Sequence, residues 1–142
     1  MLKIAIAFVF AAGLLAASSA AMACDADTIQ GLKDASSQAL PAGKYSTGSQ
    51  ALINASHLEL VCANETSGTE SYGWAFRSAK DAALAAQAAH SGGMNGVAVQ
   101  FIRTSTQLFQ RLRPLAPSVG DRSTIDAELN ANRALLQTWS KS

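Results

Sequence analysis

"QALINASHLELVCAN", residues 50–64, is the stretch on which the fold turns. At helical spacing Ala51, Ala55, Leu58 and Cys62 form one stripe, and Ile53 and Leu60 lie opposite. A helix that is apolar nearly all round is buried on more than one side. The segment is therefore expected at the centre of a helical bundle.

The same period extends in both directions. Upstream, residues 25–40 repeat Ile29, Leu32, Ala35 and Ala39, with Asp25 or Asp27 as the cap. Pro41-Ala42-Gly43 should end that helix and open a loop through Gly48. Downstream, the polar run ANETSGTE breaks the central helix. A third helix over 70–90 aligns Tyr72, Ala75, Phe76, Ala79, Ala82, Ala83, Ala86 and Ala89 on one face. Such an alanine stripe lets a neighbouring helix approach closely. Arg77 and Asp81 are expected to pair at i, i+4 on the far face, beside Trp74.

A fourth helix over 95–113 places Val97, Phe101, Leu108 and Leu112 inward, with Ile102 and Phe109 widening the face. Arg103, Gln107, Gln110 and Arg111 lie opposite, and Pro114 and Pro117 stop the helix. A fifth is expected to start at Ser123, with Asp126 completing an imperfect capping box. Its apolar face is Ile125, Leu129, Leu136 and Trp139, with Asn132 inside the arc as a register-fixing polar group. No run alternates as a strand does. The expected fold is an all-α, antiparallel bundle of four to five helices.

The chain opens with an export pattern. Lys3 precedes an uncharged apolar run from Ile4 to Ala17, and Ala21 and Ala23 make the A-x-A site. The expected organisation is a cleaved signal over 1–23 and a single helical domain over 24–142. The destination is periplasmic or secreted. Both cysteines lie in that domain, and an even count in an exported chain suggests a Cys24–Cys62 disulfide. Closing that loop would stabilise the fold by roughly 3–4 kcal/mol in the chain-entropy model. The alternative is a lipid anchor at Cys24, although Ala21 stands where a lipobox carries a larger aliphatic residue.

After residue 24 the chain is balanced overall but divided. Residues 25–76 carry six acids and two bases, and residues 77–142 carry eight bases and four acids. Two neighbouring halves with complementary fields, or a basic face meeting an acidic partner, would both produce this pattern. A near-zero net charge argues against nucleic acid as the partner. No second apolar run is long enough to span a membrane.

Signals for chemistry are sparse. His57 and His90 have no ligand set at helical spacing, and Cys-x-x-Cys and His-Glu-x-x-His are absent, so no metal or cofactor is expected. There is no G-x-S-x-G and no Ser-His-Asp arrangement, so the chain reads as a non-enzyme. Glu59 is the exception to a bland surface. It projects between apolar stripes of the central helix and needs a donor, for which Arg103, Arg111 and Arg133 are candidates.

Three stretches carry a resemblance: LINASHLELVC (52–62), SYGWAFRSAKDAA (71–83) and VAVQFIRTSTQLFQRLRP (97–114). Together they resemble the small exported immunity proteins of the Rap1a/Tai type, which neutralise type VI secretion effectors in the periplasm. Leu58, Cys62, Tyr72, Gly73 and Asp81 would occupy comparable places. Ser71 stands where the family usually has a further cysteine, and the order of glycine and aromatic differs. The resemblance implies a protein-binding module that neutralises a secreted effector. Its expected contact surface is Trp74, Arg77, Arg103, Arg111 and Glu59. A bundle carrying a small apolar ligand, and a structural subunit of an envelope secretion machine, are the other readings.

Overall fold

The computed structural model describes residues 23–141. The expected export signal lies outside the described residues, apart from Ala23. Five helices follow one another: α1 (Ala26–Ala39), α2 (Tyr45–Glu65), α3 (Gly68–Ser91), α4 (Asn95–Leu112) and α5 (Val119–Trp139). A single 3₁₀ turn, Arg113–Leu115, stands between the last two. The described residues contain no strand, and the fold is an all-α bundle.

Two of the turns close in the same way. Gly43 and Gly93 take φ of 74° and 76°, the left-handed region that favours glycine. Each lets the next N–H reach back across the helix end. Lys44 donates to the Ala39 carbonyl and Met94 to the Ala89 carbonyl, both at 2.9 Å. The chain reverses within a few residues, so consecutive helices pack side by side.

Helix starts differ from expectation at two places. α2 begins at Tyr45, and Gly48 is part of it rather than of a loop. Leu40 lies directly over Gly48, where a Cβ would meet Leu40 Cγ at 2.8 Å. The glycine is there for close approach and does not break the helix. α5 begins at Val119, four residues before Ser123. Ser118 Oγ accepts from the Asp121 N–H at 3.0 Å and donates to Asp121 Oδ2 at 2.6 Å, which is the working cap. Asp126 is instead bound by Arg113 through two hydrogen bonds of 2.6 and 3.0 Å.

α2 and α3 form the centre. Ala55, Leu60 and Cys62 of α2 and Ala79, Ala82 and Ala86 of α3 are all buried. α4 adds Ala98, Ile102, Phe109 and Leu112, one position round from the face expected, and Val97 is 38% exposed. Its buried face is shared between α3 and α5, so small Ala98 and Ser105 occupy the closest contacts. Phe76 meets Phe109 edge-on at 5.5 Å, and His90 stacks on Trp139 at 4.7 Å.

Small residues bring the helices close enough for side chains to reach a neighbour's backbone. Ser49 donates to the Ala85 carbonyl at 2.8 Å. Ser56 and Ser78 donate to each other's carbonyls at 2.8 and 2.7 Å. Ser105 donates to Ala79 O at 2.7 Å, and Asn132 donates to Ser105 Oγ at 2.9 Å. These carbonyls accept through the second lone pair that the helix ladder leaves open. The hydroxyls are thereby satisfied in the core, as buried polar groups must be.

A disulfide joins Cys24 to Cys62, with Cα atoms 4.5 Å apart. It fixes the segment before α1 to the last turns of α2. Ile29, Ala55 and Cys62 form the small cluster beneath it, with Leu58 and Trp74 packed against them. None of the described helices is long and apolar enough to cross a membrane.

Candidate functional site

One flank of α3 carries Trp74, Arg77, Ser78 and Asp81 toward α1 and α2. Trp74 is held between two clusters: the one beneath the disulfide, and one that includes Ala63, Ala75 and Phe109. This corrects its expected place on the polar face, because the ring packs on the cluster formed by Ile29 of α1 with Ala55 and Cys62 of α2. The Arg77 guanidinium lies over the indole, 4.4 Å from the ring centroid. Arg77 itself is exposed. The result is a charged group resting on an anchored aromatic ring.

Asp81 does not pair with Arg77. It is buried, with its side chain 5% exposed, and Oδ2 lies 3.4 Å from Lys33 Nζ of α1. This pair joins the two halves of the chain with signs opposite to their overall charge bias. Among the described residues the other ion pairs, Lys80–Glu128 at 2.7 Å and Arg113–Asp126, lie within the basic half.

Glu59 is fully buried at 0% exposure, so it contributes nothing to an outer contact surface. That corrects its expected role in docking. Its neighbours are also other than expected: Asp81, Lys33 and Arg77, all from helices packed on α2's side of the bundle, surround it. Burial pushes the Glu59 carboxyl up to about 9, and the hydrogen bond and charge of Asp81 add to the shift. Lys33 and Arg77 oppose it. As two carboxylates, Glu59 Oε1 and Oε2 and Asp81 Oδ2 would all lack a donor. A proton on Glu59 supplies one and leaves a single negative charge for Lys33 to balance.

A groove of about 400 Å³ opens beside this pair. Asp81 and Lys33 line it together with Leu40, Tyr45, Leu52 and Leu84. Among the described residues no three His, Cys, Asp or Glu side chains cluster as a metal site would require.

Of the expected contact residues, the structure brings Trp74 and Arg77 together and places Glu59 inside, within reach of Arg77's charge. Arg103 and Arg111 are exposed on another helix, α4. Lys33 and Asp81 were not singled out by sequence reasoning as a site. Their signal was weak. α3 is small-residue or apolar around most of its circumference, and periodicity does not say which flank a third helix will cover.

Compared with family models, with curated proteins and with solved structures, the chain matches none.

Proposed function

We propose that this chain is an exported protein-binding module that docks on another protein, as an inhibitor or immunity protein neutralising a secreted effector. The observation that carries this reading is the Arg77 guanidinium held over a half-buried Trp74. Tryptophan and arginine dominate the energetics of protein interfaces. Here the ring is already ordered by packing and by the nearby disulfide, so binding would sacrifice little side-chain freedom. Arg103 and Arg111 are further exposed arginines, on α4. The disulfide supports an oxidising compartment, periplasmic or secreted. The likeness to Rap1a/Tai-type proteins supports the choice of an effector as the partner. Binding of this kind is stoichiometric and uses no cofactor.

The test is site-specific photocrosslinking in the producing cell, with the crosslinker at position 77 and, separately, at position 103. A discrete heteromeric product from position 77 is expected, and Arg77→Glu tested with the crosslinker at 103 should reduce its yield severalfold. Trp74→Ala is a poorer probe, because the ring also packs the core. No discrete product from either position would overturn the reading.

A further inference from the structure

The groove beside Asp81 has a composition that the docking surface does not use. Its walls combine apolar Leu40, Leu52 and Leu84 with polar Ser36, Ser37 and Gln87, and Asp81 is the one acid in its lining. Asp81 is more than nine-tenths buried, and beyond its hydrogen bond with Glu59 no donor reaches its Oδ2, which can accept through a second lone pair. The nearby cation, Lys33, stands 3.4 Å away. That is longer than the ~2.7–2.9 Å of a charge-assisted hydrogen bond. Lys33 therefore balances the charge without filling the acceptor, and it is 35% exposed, free to swing toward water. Glu59 lies behind Asp81 and is sealed from solvent, so Asp81 is the carboxylate of the pair that lines the groove.

We propose that this groove binds a monovalent organic cation, a primary ammonium or guanidinium on a short aliphatic stem, with Asp81 as its counter-ion and Lys33 as the residue it displaces. The stem lies against the leucines and the head donates to Asp81 Oδ2. A metal ion fits poorly, because Asp81 is the one carboxylate in the lining and, among the described residues, no three His, Cys, Asp or Glu side chains cluster. An anion would meet the carboxylate. The volume, about 400 Å³, is within the range of small-molecule sites. This site is independent of the Trp74–Arg77 surface, and failure of one leaves the other standing.

The probe is n-butylguanidinium, titrated into the disulfide-intact protein and followed by amide chemical shifts in α1 and α3. The neutral isostere n-butylurea is the control. Saturable shifts with butylguanidinium, and affinity for butylurea lower by about tenfold or more, are expected for a charge-assisted contact. Asp81→Asn should abolish the preference for the cation. Lys33→Met should tighten cation binding severalfold, because the internal competitor is gone, and this variant leaves both carboxyl groups in place should D81N fold poorly. Three results overturn the proposal: no saturable shift up to the solubility limit, equal binding of the urea, or weaker binding by K33M. Equal binding of the urea would make the groove an apolar-ligand site. Weaker binding by K33M would make Lys33 part of the site.

Discussion

Glu59 of α2 and Asp81 of α3 lie against each other in the interior, and Lys33 of α1 stands 3.4 Å from Asp81 Oδ2. Three helices thus meet at a buried group of ionisable side chains. Such a junction ties the assembly of the bundle to pH. The Glu59 carboxyl titrates near 9 when folded, against an ordinary 4.5. The folded chain therefore holds a proton that the unfolded chain releases between those values. The contribution of Glu59 is complete below about pH 4.5 and is lost as pH rises toward 9.

Stability should accordingly fall between pH 5 and 8 by on the order of 1 kcal/mol per pH unit from this group. Glu59→Gln fixes the neutral form and keeps a donor for Asp81. Denaturant unfolding of E59Q should show a flatter profile over this range and greater stability than the parent at pH 8. A profile for E59Q as steep as the parent's would show that other groups set the pH dependence. Lys33, Arg77 and Asp81 are the charged groups to examine next, since each acts on the same carboxyl or is part of the pair.

The Cys24–Cys62 disulfide should govern whether α1 stays attached. It closes a loop of 38 residues in sequence separation. Its loss should cost roughly 3–4 kcal/mol in the chain-entropy model. The Cys24 N–H also donates to Glu65 Oε2 at 2.7 Å, so the same point is held by two bonds to α2. Cys24→Ser/Cys62→Ser should lower the thermal midpoint by roughly 10 °C or more. Hydrogen exchange should locate the loss in α1 before α4 and α5. Intact mass of the exported protein, with and without reductant, checks the chemistry directly. A sulfur in this disulfide cannot also carry a lipid, so a diacylated Cys24 would require Cys62 to be unpaired.

Asn132 and Ser105 should act as one unit. Asn132 donates to the Ser105 hydroxyl, which donates to the Ala79 carbonyl, linking α5, α4 and α3 in series. Ser105→Ala removes the acceptor for a buried amide, and Asn132→Ala leaves a small cavity. Each should cost about 1–3 kcal/mol. The double variant should cost clearly less than the sum, because the second change no longer breaks the link. Strict additivity in denaturant unfolding would mean that the relay contributes nothing as a relay.

The bundle was legible because helix periodicity reports burial directly. Residues 50–64 are apolar nearly all round, and most of α2 from Ala51 to Ala63 is indeed buried. The disulfide was legible from cysteine count and context. The carboxyl pair was only half legible. Glu59 stood out because a charge in an apolar stripe demands a partner, but its partner comes from α3, and three arginines of the later helices were the expected donors. Asp81 sits four residues from Arg77, and a local i, i+4 rule assigned it to the surface. The local rule failed because Asp81 pairs with Lys33 of α1 and lies against Glu59 of α2, contacts that nothing within α3 specifies. Tertiary placement, absent from periodicity, decided which flank became interior.

The start of α5 offers the sharpest contrast between two serines of the same local type. Ser123 precedes an apolar repeat and has an acid three residues on, yet it lies within the helix and is exposed. Ser118 has Asp121 at the same spacing and accepts its N–H at 3.0 Å. What separates them is the chain before each. Pro114 and Pro117 prevent the preceding helix from continuing, so the first residue after them that can accept an N–H becomes the cap. Ser118→Ala should cost about 1 kcal/mol. Ser123→Ala, at an exposed helix interior, should be neutral or stabilising by a few tenths of a kcal/mol, because alanine is the better helix former. Urea unfolding of the two single variants measures both. Equal effects would place the functional cap elsewhere, and a larger loss at Ser123 would put the true start of α5 where its apolar repeat begins.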